Sequence, residues 1–249
     1  EHPRFNENVL LQLPVPPAVD SMREKLTRSV AAIADCFTRA SAAFDEAESL
    51  LVSALGLHKL DLTPRLFYER SYKDAADAGR LDAEYFNPRA QNLIAALSRD
   101  RLTLADVAKL ATRRFKPAPG VELQYIEIGD VGGNGEAEST PVMGEDAPSR
   151  ATWIVKPGDV ITSTVRPIRR LSAVVTDDQA GYVCSSGFAV LTPTGVEPEL
   201  LLAYLRLPLV CELLDLNTTA SMYPAISTPD LMKIPVSLPD KPTRAKIVV

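Results

Sequence analysis

The chain has 249 residues, of which 46% are hydrophobic and 24% are charged, and its 32 acidic and 27 basic side chains give a formal net charge of −5 at pH 7. This length and composition suffice for one large globular domain or two small ones with buried cores. No apolar run approaches the roughly 20 residues that a membrane helix needs, and the first residues are charged, so the sequence predicts a cytoplasmic protein. The acidic balance argues weakly against nucleic-acid binding, because neutralising phosphates requires a basic surface.

The cysteines are widely spaced and histidines are scarce. Cys36, Cys184 and Cys211 form no C-x-x-C pair, and the histidines are His2 and His58. This pattern indicates neither a disulfide framework nor a zinc cluster, and it favours isolated buried thiols. We therefore expect no metal site built from these residues.

A long helix is predicted for residues 20–55, a stretch without proline or glycine. Asp20 or Ser21 is expected to cap its N-terminus, and Gly56 follows its last apolar position. The helix carries an apolar seam with alternating steps of four and three residues: Leu26, Val30, Ile33, Phe37, Ala40, Phe44, Ala47 and Leu51. This heptad pattern, roughly 50 Å long, favours a partner helix or self-association. The alternative, a long core helix of a single domain, remains open.

A second globular unit is predicted after a connector that carries a short helix at 72–78. Helices are expected at 90–97, 104–112, 198–206 and 208–216; strands are expected at 123–128, 153–155, 159–165, 171–176 and 187–191. Residues 129–144 contain several glycines and acidic residues and predict a long exposed loop. The fold class is therefore α+β: a globular mixed domain plus a long coiled-coil-type helix.

A short internal sequence similarity bears on the domain boundaries. The segment VLLQLPVPP at 9–17 and the segment LMKIPVSLP at 231–239 each precede a helix pattern. The chain also begins without methionine and stops within a helix-like segment, so we expect a fragment of a longer protein. The predicted parts are the end of a preceding domain (1–17), the long helix (18–57), the connector (58–80), the second unit (81–238) and the start of a second helix (239–249).

Several short motifs occur in a characteristic order along this unit. They are RLDAEYFNP at 80–88, YIEIGDV at 125–131, KPGDVITSTVRP at 156–167, SSGFAVL at 185–191, PELLLAYL at 198–205, and AISTPDL at 225–231 followed by IPV at 234–236. Together they resemble the specificity subunits of type I restriction-modification systems, in which target recognition domains alternate with long helices. A complete subunit of that family carries two recognition domains and two helices, whereas one of each is whole here.

The resemblance implies a non-catalytic subunit that recognises a sequence in double-stranded DNA. Its partners would be methyltransferase subunits, docked on the long helix, and a restriction subunit. It implies no cofactor in this chain, because methyl donor and nucleotide bind to the partners.

The residues themselves offer candidate DNA contacts despite the acidic balance. Basic side chains cluster in two segments, one of which lacks acidic residues between Asp159 and Asp177, and hydroxyl groups lie near them. The candidates are Lys109, Arg113, Arg114 and Lys116; Arg166, Arg169 and Arg170; Ser163 and Thr164; and Thr218, Thr219, Ser221 and Tyr223. An arginine fork on guanine contributes about 1–3 kcal/mol of discrimination per base pair. Ordinary solvated turns and a capped helix end remain the alternatives.

Catalytic motifs are not supported by the sequence. The glycines near residue 133 match neither a P-loop nor a dinucleotide-binding pattern. Asn87 and Pro88 lack the following proline and aromatic residue of an amino-methyltransferase, and Asp230 with Lys233 lacks a second nearby carboxylate for a nuclease metal. We therefore expect no enzymatic activity. The competing hypothesis is a coiled-coil scaffold that binds protein without reading DNA sequence.

Overall fold

The structure is a computed structural model that describes residues 11–14, 18–219 and 222–248. The chain divides into two compact units, Glu1–Ala43 and Phe44–Val249. The boundary between them falls inside helix α1 (Ala18–Ala54). The expected α+β fold class, with a long helix and a mixed globular part, is confirmed.

Helix α1 confirms the long helix predicted from the apolar seam. It already includes Ala18, so Asp20 and Ser21 lie inside its first turn and the prediction that one of them is the N-terminal cap is wrong. The helix ends as predicted: Gly56 has φ 68°, and its N–H donates to the carbonyl of Ser53 at 3.0 Å. Glycine suits this position because it adopts the left-handed conformation without a Cβ penalty.

The apolar seam of α1 differs in exposure between the two units. Within the first unit Leu26, Val30, Ile33 and Phe37 are all exposed, Phe37 by 58%. Within the second unit the seam is covered progressively: Phe44 and Ala47 are half-buried and Leu51 is 0% exposed. The last turns of α1 therefore belong to a hydrophobic core, and the earlier turns present bare apolar side chains.

The second unit begins new helices at recognisable capping residues. At α2 the hydroxyl of Ser71 accepts a hydrogen bond from the N–H of Asp74, whose carboxylate accepts one from the N–H of Ser71. Pro198 and Pro208 occupy the first turns of their helices, as predicted. The helices are α2 (Tyr72–Ala78), α3 (Ala83–Phe86), α4 (Pro88–Leu97), α5 (Leu104–Val107), α6 (Pro198–Arg206), α7 (Pro208–Asp215), α8 (Thr228–Leu231) and α9 (Lys241–Ile247).

The strands of the second unit are short. They are β1 (Leu102–Thr103), β2 (Ala108–Leu110), β3 (Glu122–Ile126), β4 (Thr140–Met143), β5 (Ala151–Ile154), β6 (Val160–Ser163), β7 (Ser172–Val174), β8 (Val183–Ser185), β9 (Phe188–Pro193), β10 (Thr218–Thr219), β11 (Ala225–Ile226) and β12 (Pro235–Val236). In the described chain two four-stranded sheets have the orders β2-β9-β6-β7 and β4-β3-β8-β5, while β1 pairs with β12 and β10 with β11. The pairing of β3 with β8 is parallel, and the other pairings are antiparallel.

Two hydrophobic cores support this arrangement. One joins Leu51 at the end of α1 to the apolar faces of α4, α6 and α7, where Leu97 and Leu205 are almost fully buried. The other lies around the two larger sheets and includes Ile126, Ile161 and Phe188. Strand β6, which precedes residues 166–170, therefore lies within a packed hydrophobic core.

Two predicted elements are corrected by the structure. The helix expected at 104–112 stops at Val107, because residues 108–110 pair as β2 with β9 in the register Leu110↔Leu191. The segment 129–144 is not simply an exposed loop: it contains β4, and Val131 and Ala137 are buried and form a bridge. In the first case pairing with a distant strand overrides the local sequence pattern, and in the second the segment folds back and pairs with the preceding strand β3.

The C-terminal helix pattern is confirmed over the described residues. Helix α9 starts after Asp240, whose carboxylate accepts from the N–H of Thr243 at 3.0 Å. The first of the two similar sequence segments, at 9–17, lies outside the described residues except for 11–14. No helix in the described ranges is both long and apolar enough to cross a bilayer.

Candidate nucleic-acid interface

The connection between β6 and β7, residues 166–170, is named the arginine loop here. The two strands pair antiparallel in the register Thr162↔Ser172, and the loop contains a short 3₁₀ turn, Pro167–Arg169. Its first and last residues, Arg166 and Arg170, have φ of 48° and 61°. The left-handed region costs a residue with a Cβ roughly 1–2 kcal/mol. Such a conformation persists only where the surroundings hold it.

Arg166 is held by the segment that follows β10. Its N–H donates to the carbonyl of Pro224 at 2.8 Å, and its Nη2 donates to the carbonyl of Met222 at 3.2 Å. Its guanidinium lies 5.2 Å from the ring centre of Tyr223. The structure thus brings two predicted candidate segments, 166–170 and 217–223, side by side. Ser221 lies outside the described residues.

Arg170 has its guanidinium bound within the protein. Its Nε donates to the carbonyl of Arg206 at 2.6 Å, and its Nη2 forms an ion pair with Glu48. In return the Nη1 of Arg206 donates to the carbonyl of Arg170 at 2.9 Å. Arg170 therefore holds the end of the loop in place.

Ile168 and Arg169 form the apex of the arginine loop and are exposed. Ile168 is 52% exposed. Over the described ranges the guanidinium of Arg169 has no hydrogen-bond or ion-pair partner. The loop therefore offers one free planar donor group on a fixed backbone.

The basic cluster at residues 109–116 also contains both side chains that are bound within the protein and side chains that are exposed. Arg113 donates to the carboxylate of Asp159, which is 2% exposed, and to the carbonyl of Ile154 at 3.1 Å. Arg114 is exposed, and its guanidinium lies 4.8 Å from the ring centre of Trp153. Successive side chains of an extended segment point to opposite sides. Arg114 therefore faces solvent where Arg113 faces the protein, and Lys109 and Lys116 are exposed as well.

The predicted hydroxyl groups donate within the protein. Ser163 donates to the carbonyl of Val165 at 2.8 Å, and Thr164 to the carbonyl of Gly187 at 2.9 Å. Both of these hydroxyl residues are buried. Thr218 and Thr219 also donate to backbone carbonyls, so these four side chains stabilise turns and strand ends in this structure.

Asp159 and Arg206, which were not among the predicted site residues, connect several loops by hydrogen bonds and ion pairs. Asp159 accepts from the N–H of Lys156 at 2.9 Å and from the hydroxyl of Thr192 at 2.7 Å, besides Arg113. Arg206 is 7% exposed, and burial lowers the pKa of its guanidinium. A signal for Arg206 was present in the sequence, since it is a charged residue between Leu205 and Leu207 at the end of an apolar helix.

The cysteines are partly as predicted. Cys184 and Cys211 are buried, whereas Cys36 is exposed, so the prediction of a buried thiol is wrong there. Burial raises the pKa of Cys184 to about 12 and that of Cys211 to about 11. Among the described residues no group of histidine, cysteine, aspartate and glutamate side chains is placed to hold a metal ion.

Comparison with known proteins gives a consistent set of relatives. No protein-family model matches the chain. The type I restriction enzyme HindI specificity subunit of Haemophilus influenzae is 27% identical over 150 residues, which are 59% of this chain and 33% of that protein. The chain thus spans about a third of the curated relative.

Two solved structures are similar in fold. The HsdS subunit from Thermoanaerobacter tengcongensis matches with a TM-score of 0.52 and 29% identity over 59% of this chain and 40% of its own. A chain from a study of complex assembly and conformational transition in a type I restriction-modification system matches with a TM-score of 0.50 and 30% identity, over 53% and 36%. The resemblance to type I specificity subunits is confirmed.

Proposed function

We propose that this chain, as a relative of type I specificity subunits, recognises a DNA sequence on behalf of a restriction-modification complex. Residues 81–238 act as the target recognition domain. The observation that carries the proposal is the exposed, unpaired guanidinium of Arg169 at the apex of a loop whose two ends are fixed.

The chemistry of the arginine loop suits base recognition. A guanidinium fork can donate to O6 and N7 of guanine in the major groove, and a fixed backbone directs it to one base step. Arg114, Lys116 and Lys109 add exposed positive charge for phosphates. The loop contains three arginines and lies in a stretch without acidic residues from 160 to 176, so the negative net charge of the chain does not exclude local DNA contact.

Helix α1 would dock the partners. Its exposed seam, Leu26 to Phe37, fits the a and d positions of a coiled coil. We assign this face to a methyltransferase subunit, by analogy with the family. A restriction subunit would join the same complex, and self-association of two copies through α1 is the alternative outcome. The chain itself supplies no catalytic group in this scheme.

A scaffold without sequence-specific DNA binding is the second candidate. The observation that favours it is exposed apolar surface outside the arginine loop: Phe37 on α1, and Leu66 and Phe67 in the connector, which are 102% and 88% exposed. Leu66 and Phe67 are adjacent in the chain, and exposed apolar patches are typical of protein contacts.

Selection from a random duplex pool separates the two functions. The chain is co-expressed with the methyltransferase subunit of its host, and the complex is used to enrich duplexes against competitor DNA at physiological salt. We expect one enriched sequence pattern for the wild-type complex and loss of part of that pattern for Arg169→Ala. The matched control is Arg65→Ala, which removes an exposed charge from the connector. A complex that assembles but enriches no pattern would establish the scaffold instead.

A further inference from the structure

Two arginines at the base of the arginine loop bind each other's backbone. Arg170 donates to the carbonyl of Arg206 at 2.6 Å, and Arg206 donates to the carbonyl of Arg170 at 2.9 Å and to that of Ser172 at 3.2 Å. The end of the loop is thereby tied to the last residue of α6. Because Arg170 is in the left-handed region, these bonds hold a backbone conformation that the residue would not favour alone.

The last turns of α1 contribute the charge that balances these arginines. Glu48 forms an ion pair with the Nη2 of Arg170, and Phe44, one helical turn earlier, lies with its ring centre 5.7 Å from the guanidinium of Arg206. Arg206 is buried, and over the described residues its guanidinium donates to backbone carbonyls and to no carboxylate. Glu48 is therefore the acidic group that serves this pair of cations. Phe44, Glu48, Arg170 and Arg206 are together named the clamp.

The clamp also reaches the glycine-rich segment before β4. Arg206 donates through Nη2 to the carbonyl of Gly133. Gly135 has φ +75°, and a Cβ there would lie 2.8 Å from Leu202 Cδ2 and 3.2 Å from Phe44 Cζ. The helix end, the arginine loop and this segment thus share one packed junction.

We propose that Glu48 and Arg206 are positioning residues for DNA reading: they fix the conformation in which the apex residues Ile168 and Arg169 meet the target. The inference rests on the proposed function and goes beyond it, because it places a determinant of sequence discrimination on α1, away from any DNA-contacting side chain. Glu48 acts through Arg170 and does not touch DNA.

A purely structural role for Glu48 predicts a different pattern of effects. The ion pair of Glu48 and Arg170 is about one third exposed at both side chains, so its contribution to global stability is small. Loss of the carboxylate instead leaves Arg170 and Arg206 as neighbouring cations without this counter-charge, and Arg170, which loses its ion pair, is the last residue of the arginine loop. Local opening of the loop, without global unfolding, is the signature of a positioning role.

The test compares Glu48→Gln with Glu46→Gln, a matched change at an exposed residue of the same helix. The first readout is amide hydrogen exchange of Arg169 and Arg170 in the DNA-free complex with the methyltransferase subunit. We expect exchange at least about tenfold faster for Glu48→Gln and unchanged for Glu46→Gln, with the midpoint of thermal unfolding preserved in both.

The second readout is the ratio of affinities for the selected target duplex and for random duplex. We expect Glu48→Gln to lower this ratio about 2- to 30-fold, the range of coupling through contacts outside a binding site, with random-duplex affinity retained. Glu48→Asp keeps the charge but shortens the side chain, so a positioning role predicts a partial loss and simple charge balance predicts none.

The outcomes separate this inference from the proposed function. If the wild-type complex prefers no sequence, the proposed function fails and the positioning role fails with it. If the wild type discriminates but Glu48→Gln matches Glu46→Gln in both readouts, the positioning role alone is overturned. A fall in target and random affinity by the same factor would also overturn it.

Discussion

Arg113 forms an ion pair with Asp159, a buried carboxylate 46 residues further along the chain. Asp159 also accepts from Lys156 and Thr192, so one side chain joins the turn before β6, the strand β9 and the segment after β2. A cluster of basic residues that resembles a DNA patch in sequence thus contains one member with an internal structural role.

We expect Arg113→Ala to destabilise the protein by about 3–5 kcal/mol, because it leaves the carboxylate of Asp159 buried without its counter-charge. Denaturant unfolding of the purified variant measures this loss. Arg114→Ala removes an exposed cation–π contact with Trp153 and should cost about 1 kcal/mol or less. Equal losses for the two variants would contradict the assignment.

Arg169→Ala should weaken discrimination at one base pair by about 1–3 kcal/mol. The slope of log affinity against log salt concentration should fall by about one or less, the value for one phosphate contact. Arg169→Lys retains the charge but not the planar fork, so it should keep random-duplex affinity and still lose discrimination. Competition titrations at two salt concentrations measure both quantities. Full discrimination by the lysine variant would show that the charge at residue 169 suffices and that the planar fork is not needed.

The two halves of the α1 seam should respond differently to truncation. Leu51→Ala should lower the free energy of unfolding by about 2–5 kcal/mol, since the side chain is completely buried in the core. Phe37→Ala should leave unfolding almost unchanged, because its ring is exposed. Co-purification with the methyltransferase subunit should instead weaken for Phe37→Ala. Retained co-purification after combined Ile33→Ala and Phe37→Ala changes would remove the docking role of this face.

Acid should remove a stabilising contact at Asp100. The N–H of Leu238 and the hydroxyl of Ser237 hold the pKa of the Asp100 carboxyl below its ordinary value. Because the folded pKa is depressed, the contribution is present above the unfolded pKa of about 4 and is lost as pH falls through the folded pKa. Asp100→Asn should therefore be less stable than wild type at pH 7, with a gap that narrows below about pH 4. A gap constant from pH 7 to pH 3 would refute this.

Thiol labelling should distinguish the cysteines. Cys36 is exposed and should react rapidly with an alkylating reagent at pH 8, whereas Cys184 and Cys211 should stay protected until unfolding. Burial raises the pKa of the Cys184 thiol to about 12, so few thiolates form while the site stays closed. Peptide mass spectrometry of the native protein measures the order of labelling.

Local sequence patterns predicted the helices well. The seam and Gly56 located α1 and its end, and Pro198 and Pro208 located the starts of α6 and α7. The segment 104–112 was mistaken because its apolar spacing fits a helix, whereas the backbone of Leu110 pairs with Leu191 on β9. Pairing between segments some 80 residues apart leaves no trace in a local pattern.

The sequence located the arginine loop but not the roles within it. Arg169 and Arg170 are adjacent and chemically identical, yet Arg170 faces Glu48 while Arg169 is free. What separates them is the left-handed backbone at Arg170 and the arrival of α1 and α6 behind it. Both depend on packing between distant segments.

The pairing of β1 with β12 has a consequence for how this domain can change. Leu102 lies opposite Val236, and just inside that pair the N–H of Leu104 donates to the carbonyl of Ile234 at 2.9 Å. The chain therefore enters and leaves the segment 105–233 at neighbouring backbone positions. A foreign insert that replaced residues 105–233 and kept this strand pair would also have to supply the apolar faces of α6 and α7, because Leu51 of α1 and Leu97 of α4 pack against them in one core.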